Sequence, residues 1–417
     1  MSKRQLTLQP CCHKAKQQQQ QPRQHVYLVV DDWETGYSVR KIDVDDMDPP
    51  HAGDDLDDEE AEPHPDPPVV RFYGRHCRLS HIGAYGTSIL AMLRTSDSDA
   101  TGAFPIFDTK TLGLTLCPHP DGRRARPLFA SAAGVLYLTV GYSTFVLDSL
   151  PLPGPYGDED TQWSWIEKPK IFAPFHSCDV VSFAVHPNDH LLFVSEGART
   201  FFLDTKCSSW MGVGKWIMPF KGQAYFDGEL DAWVGLCRHK GGVGHVCSCD
   251  APPLSDYATM SSTMPAWKLS EDRLFDADDD RHLGATLLYL GGVSDYCLIE
   301  SRLHKDQEPF GPCDGPRRRV LRITKFGLKY DKSGELRTTR RTARSYQMTE
   351  GHEFNEICLN PVAFWIFFLE KEDDPRPLHL GDAYGHFINY SRGPYKVLQT
   401  IYLNPPSWQY MPLLLSI

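Results

Sequence analysis

From residue 25 to residue 366 the chain alternates short apolar runs with polar breaks rich in Gly, Pro, Asp and Asn. Val26 to Asp31, Ser88 to Met92, Val135 to Val140, Leu191 to Val194 and Ala232 to Leu236 are all of strand length. Runs of this size, bounded by turn residues, predict β-strands buried on both faces. A second kind of strand follows several of them and ends in Asp plus a small residue. Phe107-Asp108-Thr109, Leu147-Asp148-Ser149 and Leu203-Asp204-Thr205 are clear copies, and Ile42-Asp43-Val44 and Cys249-Asp250-Ala251 are weaker ones. A short side-chain oxygen there bonds the backbone two residues on and closes a turn. Tryptophans follow on the next strand: Trp163 and Trp165, Trp210, and Trp267. They are expected to fill the space between neighbouring sheets.

Well-spaced copies of this unit recur every 40 to 56 residues. That is the period of a propeller blade. A four-stranded sheet with two apolar faces is not stable alone in water, and stacking such sheets around an axis buries both faces. The expected fold class is all-β: a β-propeller of about six four-stranded blades. Blades two to six are expected near residues 76–118, 126–168, 179–217, 222–270 and 283–347. The first blade shows only three strands, and a C-terminal strand within Phe354 to Phe368 is expected to complete it and close the ring.

Composition adds limits. The chain has 417 residues, 41% hydrophobic, with 21 Phe, 18 Tyr and 9 Trp, enough for one large core. Residues 1–24 are polar and Gln-rich and are expected to be a disordered leader. Residues 45–68 form an acidic, Pro-rich loop, and 25–366 form a single domain. The net charge of −11 lacks the basic face that nucleic-acid binding needs. No run approaches a membrane span. The leader has no apolar signal core, so the 12 Cys are expected as reduced thiols in the cytoplasm or nucleus.

Several segments resemble a known family. They are Tyr27-Leu-Val-Val-Asp-Asp-Trp33 with Gly36-Tyr37, Phe220-Lys-Gly-Gln-Ala-Tyr-Phe-Asp-Gly-Glu-Leu-Asp-Ala-Trp-Val-Gly-Leu-Cys237, Cys247-Ser-Cys-Asp250, Arg281-His-Leu-Gly-Ala-Thr286 and Thr324-Lys-Phe-Gly-Leu-Lys-Tyr-Asp331. Together they look like the grass-rich plant family known as domain of unknown function 1668, over about residues 25–366. The resemblance implies a kelch-like propeller in a plant cell and brings no catalytic residues with it. Asn360-Pro-Val-Ala-Phe-Trp365 looks like the end of the family's domain, and 367–417 is a C-terminal extension outside its pattern.

Candidate chemistry is sparse. Cys237, His239, His245, Cys247 and Cys249 form the one metal-like group. Period-two spacing puts Cys247 and Cys249 on one face, but Cys-x-Cys on a flat strand chelates zinc poorly, and Cys is a common buried hydrophobe. A Cys237–Cys247 disulfide would need an oxidising compartment. Arg317, Arg318, Arg319, Arg322, Arg340 and Arg341 belong to a basic stretch that reads as a solvated strand face or as a patch for an anion or an acidic partner. Ring closure would set the acidic loop beside it. His186 and His190 flank Pro187-Asn188-Asp189, a hairpin turn rather than an acid–base pair. Phosphate-loop, zincin and nucleophile-elbow motifs are absent from the sequence, and no cofactor is implied. The expected function is a monomeric protein-interaction scaffold or adaptor. The alternative is a small-ligand-binding or enzymatic propeller with its site in the central channel.

Overall fold

The computed structural model describes residues 25–33, 35–44, 47, 61–63, 66–74, 81–92, 103–120, 125–147, 165–253, 263–307, 318–349, 361–366 and 402–403. The leader 1–24, most of the acidic segment 45–68, Asp148, Trp163, Arg317 and, apart from 402–403, the extension 367–417 lie outside the described residues. The described residues are all-β, and their helical content is two 3-10 turns, Ser177–Asp179 and Lys240–Gly242. None of the described helices is long and apolar enough to cross a membrane.

The N-terminal segment supplies β1 (His25–Trp33), β2 (Gly36–Asp43), the two-residue β3 (Glu62–Pro63) and β4 (Val70–Tyr73). Antiparallel meanders follow. The first is β5 (His81–Tyr85), β6 (Ser88–Met92), β7 (Ala103–Asp108) and β8 (Leu114–Pro118). The second is β9 (Leu128–Ala132), β10 (Val135–Val140), β11 (Ser143–Leu147) and β12 (Trp165–Phe172). Then come β13 (Val180–Val185), β14 (Leu191–Glu196), β15 (Arg199–Asp204) and β16 (Ser209–Gly214). After these come β17 (Gly222–Asp227), β18 (Ala232–Leu236), β19 (Val246–Cys249) and β20 (Trp267–Leu269). The longest meander is β21 (His282–Gly291), β22 (Asp295–Leu303), β23 (Arg318–Tyr330) and β24 (Leu336–Thr349). The last described strands are β25 (Val362–Ile366) and β26 (Tyr402–Leu403).

Four pairings cross between segments, one of them β26 antiparallel to β4 with Tyr402 opposite Arg71. β25 lies antiparallel to β1, with His25 opposite Ile366 and Val29 opposite Val362, so the N-terminal sheet runs β25-β1-β2-β4-β26. The first strands β13 and β17 run parallel, Ser182 opposite Gly222, and merge their two meanders into one eight-stranded sheet. β3 lies parallel to the edge of β24, Tyr346 opposite Glu62. At the other end of the acidic segment, Lys325 Nζ donates to the Val44 carbonyl at 3.5 Å. Both ends of that segment are therefore tied to the β21–β24 sheet.

The apolar runs are continuous because alternate side chains of one strand enter different cores. In β1, Val26, Leu28 and Val30 pack with Ile299 and Ile323 of the β21–β24 sheet. Tyr27 and Val29 between them pack with Ile89 and Phe107 of the β5–β8 sheet. The same division repeats along the chain. Phe104 and Ile106 meet Leu136 and Leu138, and Tyr137 meets Leu192 and Leu203. Phe193 and Phe202 meet Trp233, and Val234 and Val246 meet Tyr296 and Phe326.

Asp-closed turns follow strands β7 and β15. Asp108 accepts from Lys110 N at 2.9 Å and Thr111 Oγ1 at 3.0 Å, and Asp204 accepts from Lys206 N at 2.8 Å. The tryptophans depart in part from expectation. Trp165 and Trp210 are partly buried between sheets. Trp267 is 37% exposed and stacks on His239 instead. It sits on β20, at the edge of its sheet, and faces outward. The fully buried indole is Trp233 of β18, whose Nε1 donates to the Val185 carbonyl across the sheet boundary at 2.9 Å.

Candidate functional site

The metal-like residues do not converge. Cys237, Cys247 and Cys249 share the core between the β17–β20 and β13–β16 sheets. His239 stacks on Trp267, ring centroids 4.8 Å apart. His245 Nδ1 is 2.9 Å from the Ser270 carbonyl. The two imidazoles are thus turned to other partners. Among the described residues no group of three or more His, Cys, Asp or Glu side chains is placed to hold a metal ion.

The arginines are not one patch either. Successive residues of β23 face opposite ways. Arg319 points with Leu321 and Ile323 toward the N-terminal sheet and forms a buried ion pair with Asp31. Arg318, on the other face, pairs with Asp306 at 3.1 Å, and Arg322 stands opposite Glu300 in the ladder. Arg340 lies near the far end of the hairpin, bonded to Asp295 at 2.7 Å. Arg341 follows it on β24, and Arg317 is outside the described residues. Pro187 to His190 form the β13–β14 turn: His186 Nδ1 accepts from Asn188 N, and Asn188 Oδ1 accepts from His190 N.

The first strand of each meander (β5, β9, β13, β17 and β21), together with β25, carries few charged or His side chains: His81, Asp227 and His282. Asp227 is fully buried and accepts from Ser294 and Tyr296 of the next sheet. His282 stacks on Phe275 and bonds Glu300 at 2.9 Å. His81 is held down to about 4 by burial and by the nearby Arg126 charge. Its native form is therefore neutral. Stability is complete above the unfolded imidazole value near 6.5 and falls as pH drops through 6.5 toward 4. Between pH 7 and pH 4 this one group is worth up to about 3 kcal/mol. His81→Phe is expected to lose that much less stability over this interval in urea titrations; an equal loss would remove His81 as the cause.

A feature not read from the sequence lies at one end of the β9–β12 sheet. Phe172 is 63% exposed and Tyr142 45% exposed. Their rings stack at 5.5 Å with 12° between planes, and His176 meets Tyr142 edge-on at 5.2 Å. The cluster is rigidly mounted. Ala173 N donates to the Tyr142 carbonyl at 2.8 Å, and Ser177 N to the Gly141 carbonyl at 2.9 Å. Ser177 Oγ accepts from Gly141 N and donates to the Arg126 carbonyl. Tyr142 occupies the tip of the tight β10–β11 turn, where an aromatic side chain has nowhere to be buried. That position was the available signal.

Fold and surface together define an all-β protein of several antiparallel sheets with a preorganised aromatic platform. The sequence matches the family described as "Protein of unknown function (DUF1668)" over residues 23–346. The chain belongs to that family. No curated protein matches it. Among solved structures, hydrazine synthase of Kuenenia stuttgartiensis is similar at 10% identity and a TM-score of 0.33, over 64% of this chain and 67% of that one. An auxiliary nutrient binding protein from Bacteroides thetaiotaomicron is similar at 10% identity and a TM-score of 0.33, over 67% of this chain and 70% of that one. Kluyveromyces lactis Hsv2 is similar at 8% identity and a TM-score of 0.33, over 76% of this chain and 99% of that one.

Proposed function

We propose that the chain is a kelch-like six-bladed propeller, closed by β25, and that it works as a protein-interaction scaffold inside the cell. The closed ring is supported by the order of the cores. Each joins consecutive sheets, and one joins the β21–β24 sheet to the N-terminal sheet. The single observation that carries the function is the Tyr142–Phe172 stack. Rigid, exposed aromatics are the residues that dominate binding energy at interfaces, and little side-chain entropy is lost on docking them. Binding is favoured over catalysis in the channel by the poverty of ionisable groups on the first strands, where Asp227 and His282 are already committed to structural partners.

The test is affinity capture with the full chain and with Tyr142→Ser/Phe172→Ser. The expected result is a reproducible partner held by the native chain and lost from the double variant, whose circular dichroism and melting are unchanged. Equal recovery by both would move the interface off this platform.

A further inference from the structure

The β18–β19 hairpin ends in a pair of thiols. Its ladder sets Gly235 against Cys247 and Leu236 against Val246. Beyond that point Cys237 N donates to the His245 carbonyl at 2.9 Å, so Cys237 lies diagonally across from Cys247. The Cys247 thiol donates to the Pro219 carbonyl at 3.6 Å and lies beside the Cys237 thiol, which also sits close to the His239 backbone N–H and the Arg238 charge. The neighbouring Cys247 thiol first, then the His239 N–H and the Arg238 charge, opposed by burial, bring the Cys237 thiol down to about 7. Burial first, and then the neighbouring Cys237, push the Cys247 thiol up. Cys249, on the same face, is pushed up to about 12 by burial.

The Cys237 sulfur is buried but thinly covered. Its lid is the 3-10 turn Lys240–Gly242. A Cβ on Gly242 would stand 2.5 Å from the sulfur and 2.8 Å from Leu269 Cδ1, so bare glycine backbone is all that fits. The turn lies in the loop that joins β18 to β19 and faces solvent at Lys240 and Gly241. Local opening of such loops costs far less than global unfolding.

We propose that Cys237 and Cys247 form a reversible thiol–disulfide pair, with Cys237 the sulfur that a hydroperoxide oxidises first and Cys247 the resolving thiol. The Cys237 thiolate attacks one peroxide oxygen and the O–O bond breaks. The departing oxygen takes a proton and leaves as an alcohol, or as water from hydrogen peroxide, and Cys237 becomes a sulfenic acid. The Cys247 sulfur then attacks the Cys237 sulfur. The S–S bond forms, the S–O bond breaks, and hydroxide leaves as water with the Cys247 proton. Two thiols and one hydroperoxide give one disulfide, one alcohol and one water, and the two electrons lost by sulfur reduce the O–O bond. Diagonal cross-strand Cα atoms stand about 7–8 Å apart, and a disulfide spans at most about 7 Å. Closure therefore draws the hairpin end in by about 1 Å, a movement taken up by the loop after Leu236.

The experiment uses the full chain, hydrogen peroxide, an alkylating quench and peptide mapping. A Cys237–Cys247 link is expected at low peroxide, reversed by dithiothreitol, with Cys249 still alkylatable after denaturation. In Cys247→Ser a sulfenic acid trapped by dimedone is expected on Cys237. Iodoacetamide labelling of Cys237 in the native chain is expected to rise about tenfold from pH 6 to pH 8, following its thiolate fraction. Oxidation that begins at the exposed Cys178 or Cys207 while peptide 237–247 stays reduced would overturn the proposal, as would a link through Cys249.

Discussion

Arg319→Ala is expected to cost about 3–5 kcal/mol of unfolding free energy, the range for removing one partner of a buried ion pair. The Arg319 and Asp31 side chains are each 7% exposed. They sit where the β21–β24 sheet meets β1, beside the core built from Val26, Ile42, Ile299 and Ile323. Without the guanidinium, Asp31 is left charged in an apolar boundary, and it must draw in water or take up a proton. The cost is one of stranding rather than of lost attraction. Arg319→Met combined with Asp31→Leu removes both charges and is therefore expected to recover most of the loss. Urea denaturation of the two variants measures this. A loss below about 1 kcal/mol in Arg319→Ala would mean that the pair behaves as a solvated surface contact.

Asp227→Ala is expected to have a similar effect, about 3–5 kcal/mol. The carboxylate is fully buried and accepts four hydrogen bonds. Glu229 N at 3.0 Å and Leu230 N at 3.3 Å close its own turn. Ser294 Oγ at 2.9 Å and Tyr296 OH at 2.7 Å come from the next sheet. Each donor left unsatisfied costs about 1–3 kcal/mol, less than additively where water enters the space. Asp227→Asn keeps the shape and one carbonyl acceptor, and its amide can donate to the Tyr296 oxygen. It is expected to cost about 1–2 kcal/mol. Tyr296→Phe removes one donor, for about 1 kcal/mol. If Asp227→Asn is as damaging as Asp227→Ala, charge rather than hydrogen-bond geometry holds the two sheets.

The strand order was legible wherever one strand served two cores. Val135 to Val140 and Leu191 to Val194 announce themselves as apolar runs because each residue has a buried face to fill. The Asp-closed turns at Asp108 and Asp204 were legible because their chemistry is local. The strand that completes the N-terminal sheet was legible from the missing fourth strand, and Val362–Ile366 occupies that place. Other features depend on distant partners. Asp227 reads as one more turn residue, since Ser294 and Tyr296 lie far along the chain. The arginine run reads as a patch in one dimension, and strand alternation divides it. Trp267 follows the pattern of an inter-sheet tryptophan, yet it lies on an edge strand with solvent beside it. The Tyr142–Phe172 platform needs two turns brought together in space.

The pairing of β25 with β1 also bears on how the chain is made. His25 and Ile366 sit side by side although the whole stretch between them is synthesised after one and before the other. Every other described meander can zip from neighbouring segments as it emerges. β1 must wait, that edge open, until β25 has been produced. Contacts of such wide sequence separation form late and slowly. During that interval an unpaired apolar strand edge is a template for the wrong partner, including β25 of a second nascent copy. The seam that completes the sheet is thus the molecule's period of greatest exposure to misassembly, a kinetic hazard that no contact in the finished fold reveals.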